Sequence, residues 1–491
     1  MTAQYPGPAA PPVWQRLSPR MLLVHPVHEV LQQIPLLVGS VVLGSATGNP
    51  MWAVAALVLT VALGIARWFT TFYRIEPGEV RLRTGVLQRT VLSVPRNRIR
   101  SVSTDARLLH RLLGLTVLRI STGQEARGEA VFALDAVEAD QVPRLRAILL
   151  SDSLAPRDHG DLPEKRYAGM ELARWRPSWL RYSPLSFTGL AMILAAVGLL
   201  HQVGAAAAVR DSDLIRSGLD AAGRFGAAAS MAVAAAVVLA ASVALSVLRS
   251  LVTFGNLVLV RDREVLHLEH GLLRLRQHTF DMRRLRGGTL REPLLVRAFG
   301  GARLDAVMTG VDGAGEASVL LPPCPAGTAR AVLAELIAAP DAVHGALRAH
   351  GPVATRRRWT RALTLPALAL AGLTVLSTVG SVPIWVWVGW AVLTLCAALL
   401  AADRAAALGH RVDARWLVAR AGSLERRRDC IATAGIIGWT VRQTFLQRRA
   451  GVATVIAATA AGVKRYQIVD VPADLAWTIA ATASPWVAEL R

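Results

Sequence analysis

The sequence predicts an α+β membrane protein: six transmembrane helices in three hairpins, alternating with three small domains, each an antiparallel sheet closed by a C-terminal helix. Three observations carry this. A pattern of six positions recurs three times without insertion, each copy follows a pair of long apolar runs, and after each pair the hydrophobicity changes from continuous to alternating. Counting from Gly85, the first copy has Ile99 at +14, Leu108 and Leu109 at +23 and +24, Arg111 at +26 and Gly114 at +29. The same offsets from Gly271 give Leu285, Leu294, Leu295, Arg297 and Gly300, and from Gly422 they give Ile436, Phe445, Leu446, Arg448 and Gly451. A further glycine follows in each copy, at Gly123, Gly310 and Gly462.

The chain has 491 residues, room for three domains besides the membrane segments. Its apolar fraction of 53% and mean hydropathy of +0.40 are high for a soluble protein. Cys324, Cys396 and Cys430 stand singly with no CxxC pair, which excludes a disulfide framework and a thiolate zinc site. The net charge of +21 rests on arginine, since Lys165 and Lys464 are the only lysines. In a membrane protein such an excess marks cytoplasmic faces more often than nucleic-acid binding.

Taken in order, residues 1–29 form a Pro/Ala-rich tail without a signal-peptide pattern, expected to be disordered. The first apolar pair lies within 30–70, split by Gly48-Asn49-Pro50, each run near the ~20 residues that cross a bilayer as a helix. Residues 71–150 alternate (Val80, Leu82 and Thr84 against Arg81 and Arg83), turn at Gly85, and end in a helix from Glu138 to Leu150. A polar linker, 151–183, leads to the second hairpin, 184–249, and the second domain, 250–340. The latter has strands near 257–260, 265–268 and 272–280, a hairpin over 303–321 and a helix near 326–338. A basic linker, 341–361, precedes the third hairpin, 362–403, and a divergent third domain, 404–491.

Basic residues outnumber acidic ones in each domain: 13 against 8 in 71–150, 11 against 9 in 251–340, 13 against 6 in 404–491. The positive-inside bias places both termini and all three domains in the cytoplasm.

Each recurring position has a physical reading. A glycine between two strands supplies positive φ without steric cost. The apolar +14, +23 and +24 positions read as core, with the Leu-Leu pair forming a short turn that plugs one end of the sheet. The repeated arginine, Arg111, Arg297 and Arg448, has two readings: a sheet-edge group bonding nearby carbonyls, or a contact to a phosphate headgroup or partner.

The run from Tyr73 to Gly85, then Ile99-Arg100-Ser101-Val102, Leu108-Leu109-His110-Arg111-Leu112-Leu113-Gly114-Leu115 and Ser121-Thr122-Gly123, resembles the bacterial PH-like domain. The whole chain is similar to the YdbT-like membrane proteins, which alternate transmembrane pairs with several such domains. In the third copy Gly435-Ile436-Ile437-Gly438 replaces the Arg-Ile-x-Ser core. The resemblance implies a bent antiparallel sheet of about seven strands capped by a helix, a cytoplasmic-membrane location and no catalysis. It also implies a smaller single-domain PH-like membrane relative as partner, and carries over no binding residue.

Other groups that could carry chemistry are weak. His267 and His270, three apart in a strand, point to opposite faces, and only Glu269 shares a face with His267. His25, His28 and Glu29 share a helical face at the edge of the first apolar run, and Asp211-Ser212-Asp213 lies in the predicted outer loop. Phosphate-loop, HExxH and nucleophile-elbow motifs are missing, and the apolar runs hold almost no ionisable residue at mid-depth, unlike transporters and pumps. The clusters Arg356-Arg357-Arg358 and Arg426-Arg427-Arg428 fall near the predicted inner leaflet, where they either contact anionic lipid or only set topology. The sequence thus points to a non-enzymatic scaffold without cofactors or metals. Its domains are expected to bind partner proteins or anionic lipid, not nucleic acid, in envelope-stress defence. The alternative is a membrane enzyme or lipid-handling transporter with a site between repeats.

Overall fold

The computed structural model describes residues 14–20, most of 69–121, 132–150, 169–186, 227–310 and 318–488, with a few isolated positions besides. It divides into two compact units, residues 1–175 with 187–282, and residues 176–186 with 283–491. The apolar pair within 30–70 and the first half of the 184–249 hairpin lie mostly outside the described residues, as do His25, His28, Glu29, Asp211 and Asp213.

In the first unit β1 (Gln15–Arg16), β2 (Phe72–Ile75), β3 (Glu79–Thr84) and β4 (Thr90–Pro95) form an antiparallel sheet in that order. The alternation in β3 sets its faces, with Val80 and Leu82 buried and Arg81 and Arg83 on the other side. The chain continues through β5 (Ser101–Ala106), a one-turn helix α1 (Leu108–Leu112), β6 (Leu115–Ser121), β7 (Phe132–Glu138) and helix α2 (Val142–Leu150). Tyr73, Val80, Leu82 and Val94 of the first sheet share one core with Val102, Leu118, Ile120 and Leu134 and with Val142, Leu145 and Leu149 of α2. After β8 (Met170–Arg174) and the long helix α3 (Ala227–Phe254) come β9 (Val258–Asp262), β10 (Val265–His270) and β11 (Leu275–Asp281). These strands do not form a sheet alone. They join the first copy in a seven-stranded sheet, β7-β6-β5-β11-β10-β9-β8.

The second unit repeats the scheme. It contains β12 (Leu285–Pro293), α4 (Leu294–Ala298), β13 (Gly301–Met308), β14 (Val319–Pro325), α5 (Ala326–Ile337) and α6 (Pro340–His344). Two long helices follow, α7 (Gly351–Val379) and α8 (Ile384–Ala407), packed as a hairpin in which Trp390 Nε1 donates to the Pro366 carbonyl at 2.9 Å. The third domain has β15 (Gly409–Val412), β16 (Trp416–Ala421), β17 (Glu425–Ala432), β18 (Ile436–Arg442), α9 (Phe445–Arg449), β19 (Val452–Thr459), β20 (Arg465–Pro472) and α10 (Ala476–Ala483). One sheet runs β14-β13-β12-β17-β16-β15 and another β18-β19-β20. Leu417, Ala419 and Ile431 share a core with Val455, Ile468 and Val471 and with Ile479 of α10.

Each copy thus divides its strands three and three, and the later half of one copy pairs edge to edge with the early half of the next. β5 lies antiparallel to β11, and β12 to β17. An upstream segment also extends each early half: β1 pairs β2, β8 pairs β9, and Arg348 bridges His410 of β15. Residues read as tail and linker therefore contribute strands.

α3, α7 and α8 are long and apolar enough to cross a membrane. α7 begins at Gly351, so Arg356–Arg358 lie on its first turns and not in a linker. The recurring glycines adopt the expected backbone: φ is +123°, +108° and +105° at Gly85, Gly271 and Gly422, and +68°, +73° and +66° at Gly114, Gly300 and Gly451. The Leu-Leu turn is corrected. It is a short helix in every copy, and the residue it buries is at +25, namely His110, Val296 and Gln447.

Candidate functional site

The short helices place the recurring arginines. In the first unit the turn between β10 and β11 caps α3, with Gly271 N bonding Gly255 O at 2.8 Å and Leu272 N bonding Val252 O at 3.1 Å. Arg111 Nη1 donates to the Leu272 carbonyl at 3.1 Å, so α1 is tied to the next copy's glycine turn. In the second unit Leu294 N bonds Leu424 O at 2.7 Å, the equivalent turn. Arg297 Nη2 reaches Asp403 Oδ2 at 2.8 Å on the last turns of α8, and Arg426 Nη2 takes Asp403 Oδ1 at 2.6 Å.

In the third copy the arginines are arranged differently. A capping box starts α9: Thr444 Oγ1 accepts from Gln447 N, and Gln447 Oε1 accepts from Thr444 N at 3.0 Å. Gln447 Nε2 then donates to Thr454 Oγ1 and to Asp470 Oδ1, both at 2.8 Å. Asp470 is fully buried, at φ +57°. Arg358 Nη2 lies 2.8 Å from its Oδ2 and Arg357 Nε 3.3 Å from its Oδ1, while Arg357 Nη1 donates to the Leu446 carbonyl at 2.8 Å. One buried carboxylate thus holds two arginines of a membrane helix, and α9 is tied to the foot of α7.

Of the other clustered arginines, Arg427 pairs with Glu425, and Arg428 donates to the Ala342 and Gly345 carbonyls at 3.0 Å. Arg356 and Arg448 are exposed and have no polar side-chain partner among the described residues. Beside Arg448, Phe445 is 76% and Leu446 64% exposed. The result at the foot of α7 is an apolar and cationic surface on one short helix.

A cleft of about 510 Å³ is lined by Thr289, Arg291, Glu425, Arg427, Asp429 and Tyr466, among others. Its charges largely neutralise each other. Arg291 bridges Asp305 at 2.6 Å and Glu425 at 3.3 Å, and Thr289 Oγ1 donates to Asp429 Oδ1 at 2.7 Å. Burial pushes the Asp429 carboxyl up, against the Thr289 hydrogen bond, and raises the Tyr466 phenol. In the first unit burial opposes ionisation of Asp105, but the hydrogen-bonded Arg274 guanidinium holds its carboxyl below the usual value. His267 and His270 do fall on opposite faces of β10, His270 buried and bonded to the Thr253 carbonyl at 2.7 Å. Among the described residues no group of three His, Cys, Asp or Glu is placed to hold a metal.

Sequence reasoning did not find Asp403, Gln447 or Asp470, the groups that gather the arginines. A lone acid after an apolar run (Asp403) was the available signal for the first. Asp470, in an alternating strand, gave none.

Small half-sheets around a core closed by a C-terminal helix, recurring after apolar helices, define a membrane protein with repeated PH-like domains. The bacterial PH domain family matches residues 32–153 and 362–484, and these two stretches belong to it. The chain is similar to the UPF0699 transmembrane protein YdbT of Bacillus subtilis (strain 168), 27% identical over 165 residues, 32% of this chain and 33% of that one. The match therefore spans about a third of that relative's length. No solved structure matches.

Proposed function

We propose that this protein is a non-catalytic integral-membrane scaffold, in which six transmembrane helices hold three PH-like domains at the cytoplasmic face. There the domains bind anionic lipid headgroups or partner proteins, in envelope-stress defence. A smaller single-domain PH-like membrane protein is the partner that the family resemblance implies. The observation that carries the lipid reading is the surface of Arg356, Arg448, Phe445 and Leu446. Its arginines have no polar partner among the described residues, and it is fixed at the foot of an apolar helix by Arg357. Guanidinium forks suit phosphate oxygens, and each juxtamembrane arginine gains about 1 kcal/mol from an anionic leaflet.

The test is lipid retention by the full-length protein in nanodiscs of mixed zwitterionic and anionic phospholipid, read by mass spectrometry after capture. Changing Arg356 and Arg448 together to alanine should weaken anionic-lipid enrichment by about 2 kcal/mol. Arg297→Ala, whose partner is Asp403, should leave it unchanged. Equal enrichment around the wild type and the double variant would remove the lipid reading.

A further inference from the structure

Among the sheet edges that the described residues leave unpaired, two are the halves of one joint. β5 is covered by β11 and β12 by β17, but β18, the equivalent strand of the third copy, ends its sheet. At the other end of the series β11 and β17 each meet the preceding copy, while their equivalent in the first copy, β4, is also a sheet edge. Edge strands present a row of unpaired N–H and C=O groups, and a lipid surface supplies no strand to satisfy them.

The two internal joints share one register. Ser101, sixteen residues after Gly85, faces Phe280, nine after Gly271, and Gly287, sixteen after Gly271, faces Ile431, nine after Gly422. Likewise Ser103 faces His278 and Thr289 faces Asp429, at offsets of eighteen and seven. We infer that β18 of one molecule pairs antiparallel with β4 of a second copy of this chain, in the register of the internal joints. Gly438 then faces Val94, Trp439 faces Ser93, Thr440 faces Leu92 and Val441 faces Val91.

The side chains suit this. No like charges meet, and Val91, 57% exposed, gains a β-branched partner. Pro95 lacks an N–H, but it falls one residue beyond the last pair of either internal joint. Gly438 shows the same open edge. It occupies the offset of Gly287, where a Cβ would lie 1.8 Å from the Cys430 carbonyl across the joint, yet a Cβ at Gly438 meets nothing nearer than Ala458 Cβ at 3.9 Å. Ser101 carries a Cβ at this offset in the first joint, so a crossing strand accepts a small residue there, and at Gly438 that side of the strand is open. Because the two edges differ, the contact is head-to-tail, and repetition makes a ring or a row of molecules in the membrane plane.

Cysteine cross-linking of the full-length protein in native membranes tests this, in a Cys396→Ala background that removes the exposed native thiol. Oxidation of Val91→Cys/Val441→Cys should give disulfide-linked dimers and higher multiples of this chain. The pair Val91→Cys/Thr440→Cys, one residue off register and on opposite faces, should give at least tenfold less. Adding Gly438→Val to the first pair should reduce its yield at least fivefold with an unchanged thermal midpoint of the monomer. Equal yields from the two registers, a product of monomer size, or linkage only to a different protein would each overturn the inference. A lowered midpoint for Gly438→Val would place its side chain in conflict with this chain's own fold, and the register comparison then decides alone.

Discussion

Asp403 and Asp470 do the same work from opposite sides. At the end of α8 the carboxylate is on the membrane helix and the two arginines, Arg297 and Arg426, come from the domain. At the start of α7 the arginines, Arg357 and Arg358, are on the helix and the carboxylate comes from β20. The difference is burial: the Asp403 side chain is 25% exposed and that of Asp470 is 0%. A solvated pair is worth little, whereas removing one partner of a buried pair strands the other charge. The two nodes therefore differ in how firmly they attach domain to membrane helix.

Neutralising the carboxylates gives the largest contrast. Asp470→Ala should destabilise the third domain by about 3–5 kcal/mol, because Arg357 and Arg358 lose their counter-charge. Asp403→Ala should cost about 1 kcal/mol after solvent screening. Denaturant unfolding of the purified protein measures both, and similar losses would break the contrast.

Protonation separates the nodes next. His350 Nδ1 donates to the Val469 carbonyl at 2.8 Å, beside Asp470, and its ring lies 5.0 Å from that of His410. Burial, with His350 and Arg348 nearby, lowers His410 from 6.5 to about 4, and burial lowers His350 as well. Between about 4 and 6.5 the unfolded chain then binds more protons than the folded one. Stability near Asp470 is full above that window and falls as pH drops through it, by about 3 kcal/mol at most from His410. Hydrogen exchange across the window should loosen β20 before the region of Asp403, and His410→Phe should remove the effect.

The smallest contrast is between two glycines. A Cβ at Gly422 would lie 2.0 Å from the Glu425 carbonyl at φ +105°, whereas Gly451, at φ +66°, has open space. Gly422→Ala should cost about 3 kcal/mol and Gly451→Ala about 1 kcal/mol, both read as shifts in midpoint. Equal shifts would show that the turn beside Asp403 yields as easily as the one beside Asp470.

Much of the fold could be read in the sequence because it is local. Positive φ demands glycine at Gly85, Gly271 and Gly422, alternation marks β3, and helical spacing marks α2 and α5. What pairs with what could not be read this way. Strand pairing uses backbone groups that every residue carries, so nothing in Ser101–Ala106 names β11 as its neighbour. The strand β12 was missed because Gly287 and Gly288 interrupt its pattern, yet a Cβ there would meet the Cys430 carbonyl and Leu333. The short helices hid their buried position because +25 is His, Val or Gln, matched to each copy's surroundings and not to a shared type. The arginines were visible in the sequence, but their partners were not, since Asp403 and Asp470 are distant in sequence from most of them.

The shared sheets also set an order on biosynthesis. Ser103 leaves the ribosome 175 residues before His278, its partner across the joint. At ordinary elongation rates that is a wait of about 10–35 s. During it the apolar helix α3 is made while the β5 edge stays open. The nascent chain therefore needs membrane insertion and sheet completion to keep pace, and a stall between residues 106 and 275 would leave an adhesive strand edge at the membrane surface.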